Sequence, residues 1–435
     1  MKNTLKNIVI WIIELEARLV LKKYKPRIVA ITGSVGKTST KDAVYAVLSK
    51  FFFVRKSEKS LNSEIGLPLT VLGCPNAWDN AWGWFQNIMH GFWLLVLPHS
   101  YPKWLVLEVG VGTPGDMKRT ASWLYADIVV FTHIGNIPVH VEFFKSVEHL
   151  IEEKSLLLHT LKKTGAVVLN ADDPAVLNLK NKTKNKVITY GFNQEAMISA
   201  SNEKILYERN VKGGFDAPKG VMFRINYHGN SVPAAIEGVF GKNYIYAALI
   251  AGAIANYLDL NMIESVSALS NYELAPGRMR IIDGVKNTLI VDDTYNSSPA
   301  AAEAALDKLS EIQVPGRKIA VLGDMLELGR HTEEAHRKLG ELAADVANIL
   351  VTVGKRAQFI VDGAMAKGMS EKNIFQFGDS REAGKFIEGI IKKGDLILVK
   401  GSQGVRMEKT VEEIMADPMN KAKLLVRQEE AWMKR

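Results

Sequence analysis

Ile28-Val29-Ala30-Ile31-Thr32-Gly33-Ser34-Val35-Gly36-Lys37-Thr38-Ser39-Thr40 decides how this chain is read. An apolar, β-branched run enters a glycine turn that ends in Lys-Thr, and a helix is predicted over Thr40–Leu48. Gly33 and Gly36 let backbone N–H groups converge on phosphate oxygens. Lys37 adds a point charge beside the β- and γ-phosphates, and the Thr38 hydroxyl suits Mg²⁺. Ser34, Val35 and Ser39 complete the loop around a triphosphate. The position five residues before Gly36 is Ile31 rather than glycine, so this is the short Gly-x-x-Gly-Lys-Thr form.

Outward from that loop, short apolar runs alternate with helical stretches. Arg27–Thr32, Trp104–Val109, Ile128–Phe131 and Ala166–Asn170 read as strands of a mostly parallel sheet covered by helices. Residues 186–240 instead alternate Val, Ile and Tyr with polar residues around Gly213-Gly214 and His228-Gly229-Asn230, which predicts added antiparallel strands. Helices are predicted over Asn243–Leu258 and Ile263–Asn271. After the break at Ala275-Pro276-Gly277-Arg278 the alternation restarts, with strands at Thr288–Val291, Arg317–Leu322, Ile349–Val353, Ile374–Phe377 and Leu396–Lys400. The fold class is therefore α/β: a triphosphate-binding type of phosphate-loop domain, residues 26–275, with a mostly parallel sheet and added antiparallel strands, then a Rossmann-like α/β domain, residues 276–435.

A length of 435 residues exceeds what one hydrophobic core sustains, in keeping with that division. The formal charge of +8 suits acidic substrates such as nucleotides, or an anionic membrane surface, and no nucleic-acid partner is expected. Cys74 is the single cysteine, which excludes an intramolecular disulfide and a cysteine zinc cluster and fits a reducing cytoplasm.

Two segments stand outside this pattern. Residues 1–25 hold the run Ile8-Val9-Ile10-Trp11-Ile12-Ile13, interrupted by Glu14, Glu16 and Arg18 and closed by Lys22, Lys23 and Lys25. That run is far shorter than the roughly 20 residues that span a bilayer. It reads as an amphipathic helix, either packed on the body of the protein or lying at the inner face of a membrane. The insertion 75–103 carries Trp78, Trp82, Trp84 and Trp93, and the same two readings, lipid contact or burial against the first helix, apply to it.

Downstream of the phosphate loop, Glu108 stands at the carboxyl end of a strand, where it would hold Mg²⁺ opposite Thr38. His140 follows another strand, and Lys154 lies in the helix after it. In this order, together with Asn170-Ala171-Asp172-Asp173 and Gly241-Lys242-Asn243, the chain resembles the Mur ligases, ATP-dependent amide-bond-forming enzymes of cell-wall peptide synthesis. The resemblance runs from about residue 27 to 420. It implies that Lys154 is carbamylated and, with His140, binds a second Mg²⁺. It also implies that Asn170 and Asn243 contact the adenine side of ATP, and that Arg278 reaches the γ-phosphate. Asp293 and Asn296, in Asp292-Asp293-Thr294-Tyr295-Asn296, would close over ribose and base.

Ala320–Gly329 with His336, and Leu398–Glu408, are similar to the family member that adds D-alanyl-D-alanine to UDP-N-acetylmuramoyl-tripeptide. Two departures are visible. The phosphate loop begins by residue 33, so the family's amino-terminal uridine-nucleotide domain is expected to be missing. Gly135 also precedes His140 by five residues, where the family has Asn-Ile-Gly-x-x-His. A different or lipid-linked muropeptide acceptor, and a non-catalytic nucleotide-binding protein recruited to a membrane, therefore stand as alternatives.

Overall fold

The computed structural model describes residues 2–58, 61–78, 80–135, 141–210, 213–272, 274–429 and 432. Its strands form two sheets. The first contains β1 (Arg27–Thr32), β2 (Val54–Lys56), β3 (Trp104–Glu108), β4 (Ala126–Phe131), β5 (Leu161–Asn170), β6 (Lys186–Gly191), β7 (Ile198–Asn210), β8 (Phe215–Tyr227) and β9 (Asn230–Glu237). Their order is β2-β3-β1-β4-β5-β6-β7-β8-β9. Pairing is parallel from β2 through β7, then antiparallel across β7, β8 and β9. β1 therefore sits between β3 and β4, and the loops leaving the carboxyl ends of all three strands gather where a doubly wound sheet binds its ligand. Ile31 pairs with Glu108 and Thr32 with Phe131, a register that delivers the Glu108 carboxylate beside the start of the phosphate loop.

The second sheet has β10 (Arg280–Gly284), β11 (Thr288–Asp293), β12 (Lys318–Gly323), β13 (Ile349–Val353), β14 (Ile374–Phe377) and β15 (Leu396–Lys400), in the order β10-β11-β15-β12-β13-β14. Only β10 runs antiparallel to its neighbour; the other pairings among these strands are parallel. β10 is the strand that the spacing of apolar runs does not mark. Arg280 and Asp283 interrupt it, and it gains its partner from β11 just across a short turn. Leu161–Gly165 is likewise an extension of the fourth predicted strand, added through pairing of Leu161 with Ala126.

Helix Lys2–Tyr24 packs on the body of the first domain. Ile13, Ala17 and Val20, one helical stripe, are fully buried in the cluster that includes Ile28, Ala30, Leu105 and Leu107. Burial of such side chains is worth about 1.5–3 kcal/mol each for the larger aliphatics. Ile8, Trp11, Leu15 and Leu19 form the opposite stripe and face solvent.

The Trp-rich insertion is the helix Ala81–Val96, started by Asn80, whose Oδ1 accepts from Gly83 N at 3.2 Å. Its carboxyl end is closed by the first helix: Lys23 Nζ donates to the carbonyls of Leu94, Leu95 and Leu97 at 2.8, 2.9 and 2.8 Å. The insertion is therefore packed against the amino-terminal helix. Among the described residues, no helix is long and apolar enough to cross a membrane.

Candidate active site

The turn after β1 is held in shape by its glycines and by the neighbouring strand. Gly33 has φ +143°, and a Cβ there would come within 2.0 Å of Thr132 Oγ1, so this position accepts no side chain. Ser34 N and Val35 N both donate to the carbonyl of His133, at 2.8 and 3.0 Å, which pins the back of the loop to the segment following β4. Gly36, at φ +85°, opens helix Lys37–Ser49, and no side-chain cap bonds that terminus, so its N–H groups are directed at the space in front of the loop.

Three parts of the chain meet at one hydroxyl. Thr38 Oγ1 donates to Glu108 Oε2 at 2.8 Å and accepts from Arg278 Nη2, also at 2.8 Å. Asn62 Nδ2 donates to the other Glu108 oxygen at 2.9 Å. Arg278 comes from the connection between the two sheets, and its guanidinium lies 4.0 Å over the ring of Tyr295. That connection is stitched to the second domain: Gly277 N donates to Asp292 Oδ2 at 3.0 Å and Met279 N to Asp293 Oδ1 at 3.1 Å.

Two lysines face the same loop carbonyl. Lys37 Nζ donates to Gly33 O at 2.9 Å and to Ser34 O at 3.3 Å, and Lys154 Nζ reaches Gly33 O at 3.1 Å. Burial pushes the Lys37 ammonium below the usual lysine range, with Glu108 opposing and Arg278 reinforcing. Lys154 is pushed well below that range by burial and then by the charge of Lys37. It projects from the last turn of helix Val147–Ser155, which Ser146 starts by accepting from His149 N at 3.2 Å.

A cavity of about 640 Å³ opens between the domains in front of this cluster. The loop residues Ser34–Ser39, Glu108, Asn243, Arg278, Asp293 and Asn296 all reach its walls. Asn243 stands in the first turn of helix Lys242–Tyr257. Asp293 Oδ2 accepts from Lys400 Nζ at 2.5 Å, and Asn296 Oδ1 accepts from Gln403 N at 3.4 Å. Asn170 lies outside those walls. It is buried at the end of β5, where its Oδ1 accepts from Asp172 N at 2.9 Å and shapes the turn. His140 lies outside the described residues.

A second cavity, of about 810 Å³, lies on the other side of the loop, walled by Gly33, Lys37, Lys154, the Gly110–Thr113 turn and the first helix through Asn7, Ile10, Trp11 and Glu14. The two cavities meet at Lys37 and Asn62, which line both.

Asn62 and Lys400 carry no role in the sequence reading. Asn62 sits in a polar loop with no periodicity to single it out. Lys400 shows the same signal as Glu108, a charged residue at the carboxyl end of an apolar strand, and could have been found by it. Among the described residues, no three His, Cys, Asp or Glu side chains group to hold a metal. Thr38 and Glu108 offer two hard oxygens instead, a donor set that suits a Mg²⁺ sharing its remaining positions with phosphate and water.

Comparison with known proteins fits this geometry. The Mur ligase middle domain matches residues 31–82 and 88–255, half of the chain, and the Mur ligase glutamate ligase domain matches residues 277–403. The UDP-N-acetylmuramoyl-tripeptide–D-alanyl-D-alanine ligase of Bacillus subtilis is 28% identical over 407 residues, covering 93% of this chain and 79% of that one. The ligase of the same name from Escherichia coli is 27% identical over 399 residues, covering 91% and 78%. Among solved structures, the MurF ligase of Thermotoga maritima in complex with ADP superposes with a TM-score of 0.75 at 25% identity, covering 93% of this chain and 83% of that one. With the phosphate loop inside one matched domain and Arg278 inside the other, the chain belongs to the Mur ligase family.

Proposed function

We propose that this chain is an ATP-dependent peptide ligase of peptidoglycan-precursor synthesis, joining D-alanyl-D-alanine to the terminal carboxylate of UDP-N-acetylmuramoyl-tripeptide in the cytoplasm. One observation carries the reading: the strand-end carboxylate of Glu108 and the interdomain Arg278 both meet the loop's Thr38 Oγ1, each at 2.8 Å. A protein that only binds a nucleotide has no need of that convergence. The choice of acceptor and amine rests on the likeness to the named Bacillus subtilis and Escherichia coli ligases over nearly the whole chain.

A carboxylate oxygen is a poor leaving group, so amide formation needs activation. The acceptor carboxylate attacks the γ-phosphorus of ATP, the bond to the β,γ-bridging oxygen breaks, and ADP leaves. The amine then attacks the acyl phosphate carbon, loses a proton, and the tetrahedral intermediate expels phosphate. Lys37, the loop N–H groups and Arg278, which line the same cavity, would take up the charge that develops on the transferred phosphoryl group. Bound between Thr38 and Glu108, Mg²⁺ would neutralise the phosphate oxygens.

Lys154 fits the role of a carbamate. Its burial beside Lys37 favours the neutral amine, the form that reacts with CO₂, and the resulting anion would face the Lys37 ammonium. A second Mg²⁺ would draw on that carbamate and on His140. Closure of residues 276–435 on residues 26–275 would bring Asp293 and Asn296 over the nucleotide and keep water from the acyl phosphate.

A second reading, a lipid-linked muropeptide as acceptor, is favoured by the wall that the first helix contributes to the cavity beside Lys154. Phosphate release separates these readings. With ATP, Mg²⁺ and D-alanyl-D-alanine, turnover is expected only when the uridine-nucleotide tripeptide is added. Turnover with a lipid-linked acceptor alone would move the assignment to the second reading, and ATP binding without turnover on either acceptor would overturn both.

A further inference from the structure

The stripe Ile8, Trp11, Leu15 and Leu19 does not stand alone. Helix Ala81–Val96 lies alongside the first helix: a Cβ on Gly91 would come within 2.2 Å of Glu16 Oε2, and Lys23, seven residues after Glu16, reaches the carbonyl of Leu97, six after Gly91. The two helices therefore run parallel, and their outer faces make one surface. On the second helix Trp82, Phe85, Trp93 and Val96 are 64, 51, 45 and 56% exposed; on the first, Trp11 is 64% exposed. Exposed aromatic and aliphatic side chains at helical spacing on two adjacent helices exceed the scatter of single apolar residues expected on a soluble surface.

Charge and position select an occupant. Lys22, Lys23, Lys25, Arg27 and Lys103 are exposed where the two helices end. The described acidic residues of the two helices are Glu14, paired with Arg18, and Glu16, which is buried between them. Among the described residues the two helices thus present an apolar face with basic residues where they end and no unpaired carboxylate of their own, while Glu64, beside Trp11 at the cleft, is paired with Arg119; this is the complement of anionic headgroups over acyl chains. Trp11 belongs both to this surface and to the wall of the cavity that holds Gly33, Lys37 and Lys154, so the cleft beside the phosphate loop opens at the edge of the stripe. We propose that the paired helices 2–24 and 81–96 seat this protein on an anionic lipid bilayer, with the mouth of the Lys154 cleft at the membrane surface. The cleft's role as the acceptor site rests on the ligase reading; the seating does not.

The test is flotation of the full chain with vesicles of phosphatidylcholine and phosphatidylglycerol in equal parts, against phosphatidylcholine alone, with the double variant Trp82→Ser/Trp93→Ser beside it. Both tryptophans are exposed and outside the two cavities, so the variant is expected to fold, by circular dichroism, and to keep its phosphate release with a soluble acceptor. Binding to the anionic vesicles, reduced about tenfold or more in the variant and weakened by added salt, is the expected result. Failure of the wild-type chain to float, or equal flotation of the variant, overturns the proposal. Equal flotation on both lipids overturns the headgroup assignment. A dimer by sedimentation that the double variant abolishes, without vesicle binding, assigns the face to a second copy of the chain. Flotation without any ligase turnover would leave the membrane seating intact and sink the catalytic reading instead.

Discussion

Lys37 and Lys154 share the carbonyl of Gly33 but have different tasks, and single substitutions separate them. Among the described residues the Lys37 ammonium bonds only the loop carbonyls of Gly33 and Ser34, so Lys37→Ala removes a desolvated charge with little cost to the fold. The expected outcome is a loss of turnover of about 10³-fold with an unchanged or higher thermal midpoint. Near-normal turnover would remove the loop from the chemistry. Lys154→Ala should be as inactive, and high bicarbonate should not restore it, whereas the wild-type chain in ¹³C-bicarbonate should show a carbamate carbon signal that the variant lacks. A fully active variant would end the carbamate role. At this scale the sequence is most legible where side-chain chemistry and strand ends coincide: Gly33 to Thr38, Glu108, Lys154 and Arg278 come together as their order in the chain implies. It is least legible where a residue works through its backbone or its neighbour, as Asn62 does on Glu108 and His133 does behind the loop.

Between the first helix and the Trp-rich helix lies a carboxylate that the chemistry does not use. Glu16 is buried, its Oε2 has no hydrogen-bond partner among the described residues, and burial lifts its pKa from 4.5 to about 7. Between those two values the folded chain holds a proton that the unfolded chain has released. This contribution to stability therefore falls as pH rises across that window and does not return above it. Glu16→Gln should flatten this dependence, so that the thermal midpoint drops less between pH 5 and pH 8 than in the wild type. Equal drops in the two proteins would show that the carboxylate finds water or a partner in solution. The apolar run 8–13 was legible as part of an amphipathic helix, and of its two readings the packing on the body of the protein describes the inner face. Ile13, Ala17 and Val20 take the core face, and the outward stripe is left at the surface. The sequence could not assign the faces, because nearly every position of the run is apolar and only the neighbouring sheet decides which stripe is buried. β10 was missed for a related reason: a short strand broken by charges exists through its pairing with β11 rather than through its own pattern.

At the scale of the whole molecule, two sheets meet across a cavity that neither domain could form alone. Arg278 crosses from the connection to Thr38, and Lys308 of the second domain donates to Glu203 on β7 of the first at 2.8 Å. Two successive α/β sheets were legible from the alternation of apolar runs restarting after Pro276-Gly277, but the contacts across the cleft join residues far apart in sequence and carry no local signature. The most direct test of the ligase account follows the oxygen of the activated carboxylate through the reaction. The purified chain is incubated with ATP, Mg²⁺, D-alanyl-D-alanine and UDP-N-acetylmuramoyl-tripeptide labelled with ¹⁸O in its terminal carboxylate, and both products are examined by mass spectrometry. The account predicts an acceptor lengthened by one dipeptide, and one ¹⁸O in the phosphate released with it. No lengthened product, or a lengthened product with unlabelled phosphate, would contradict it.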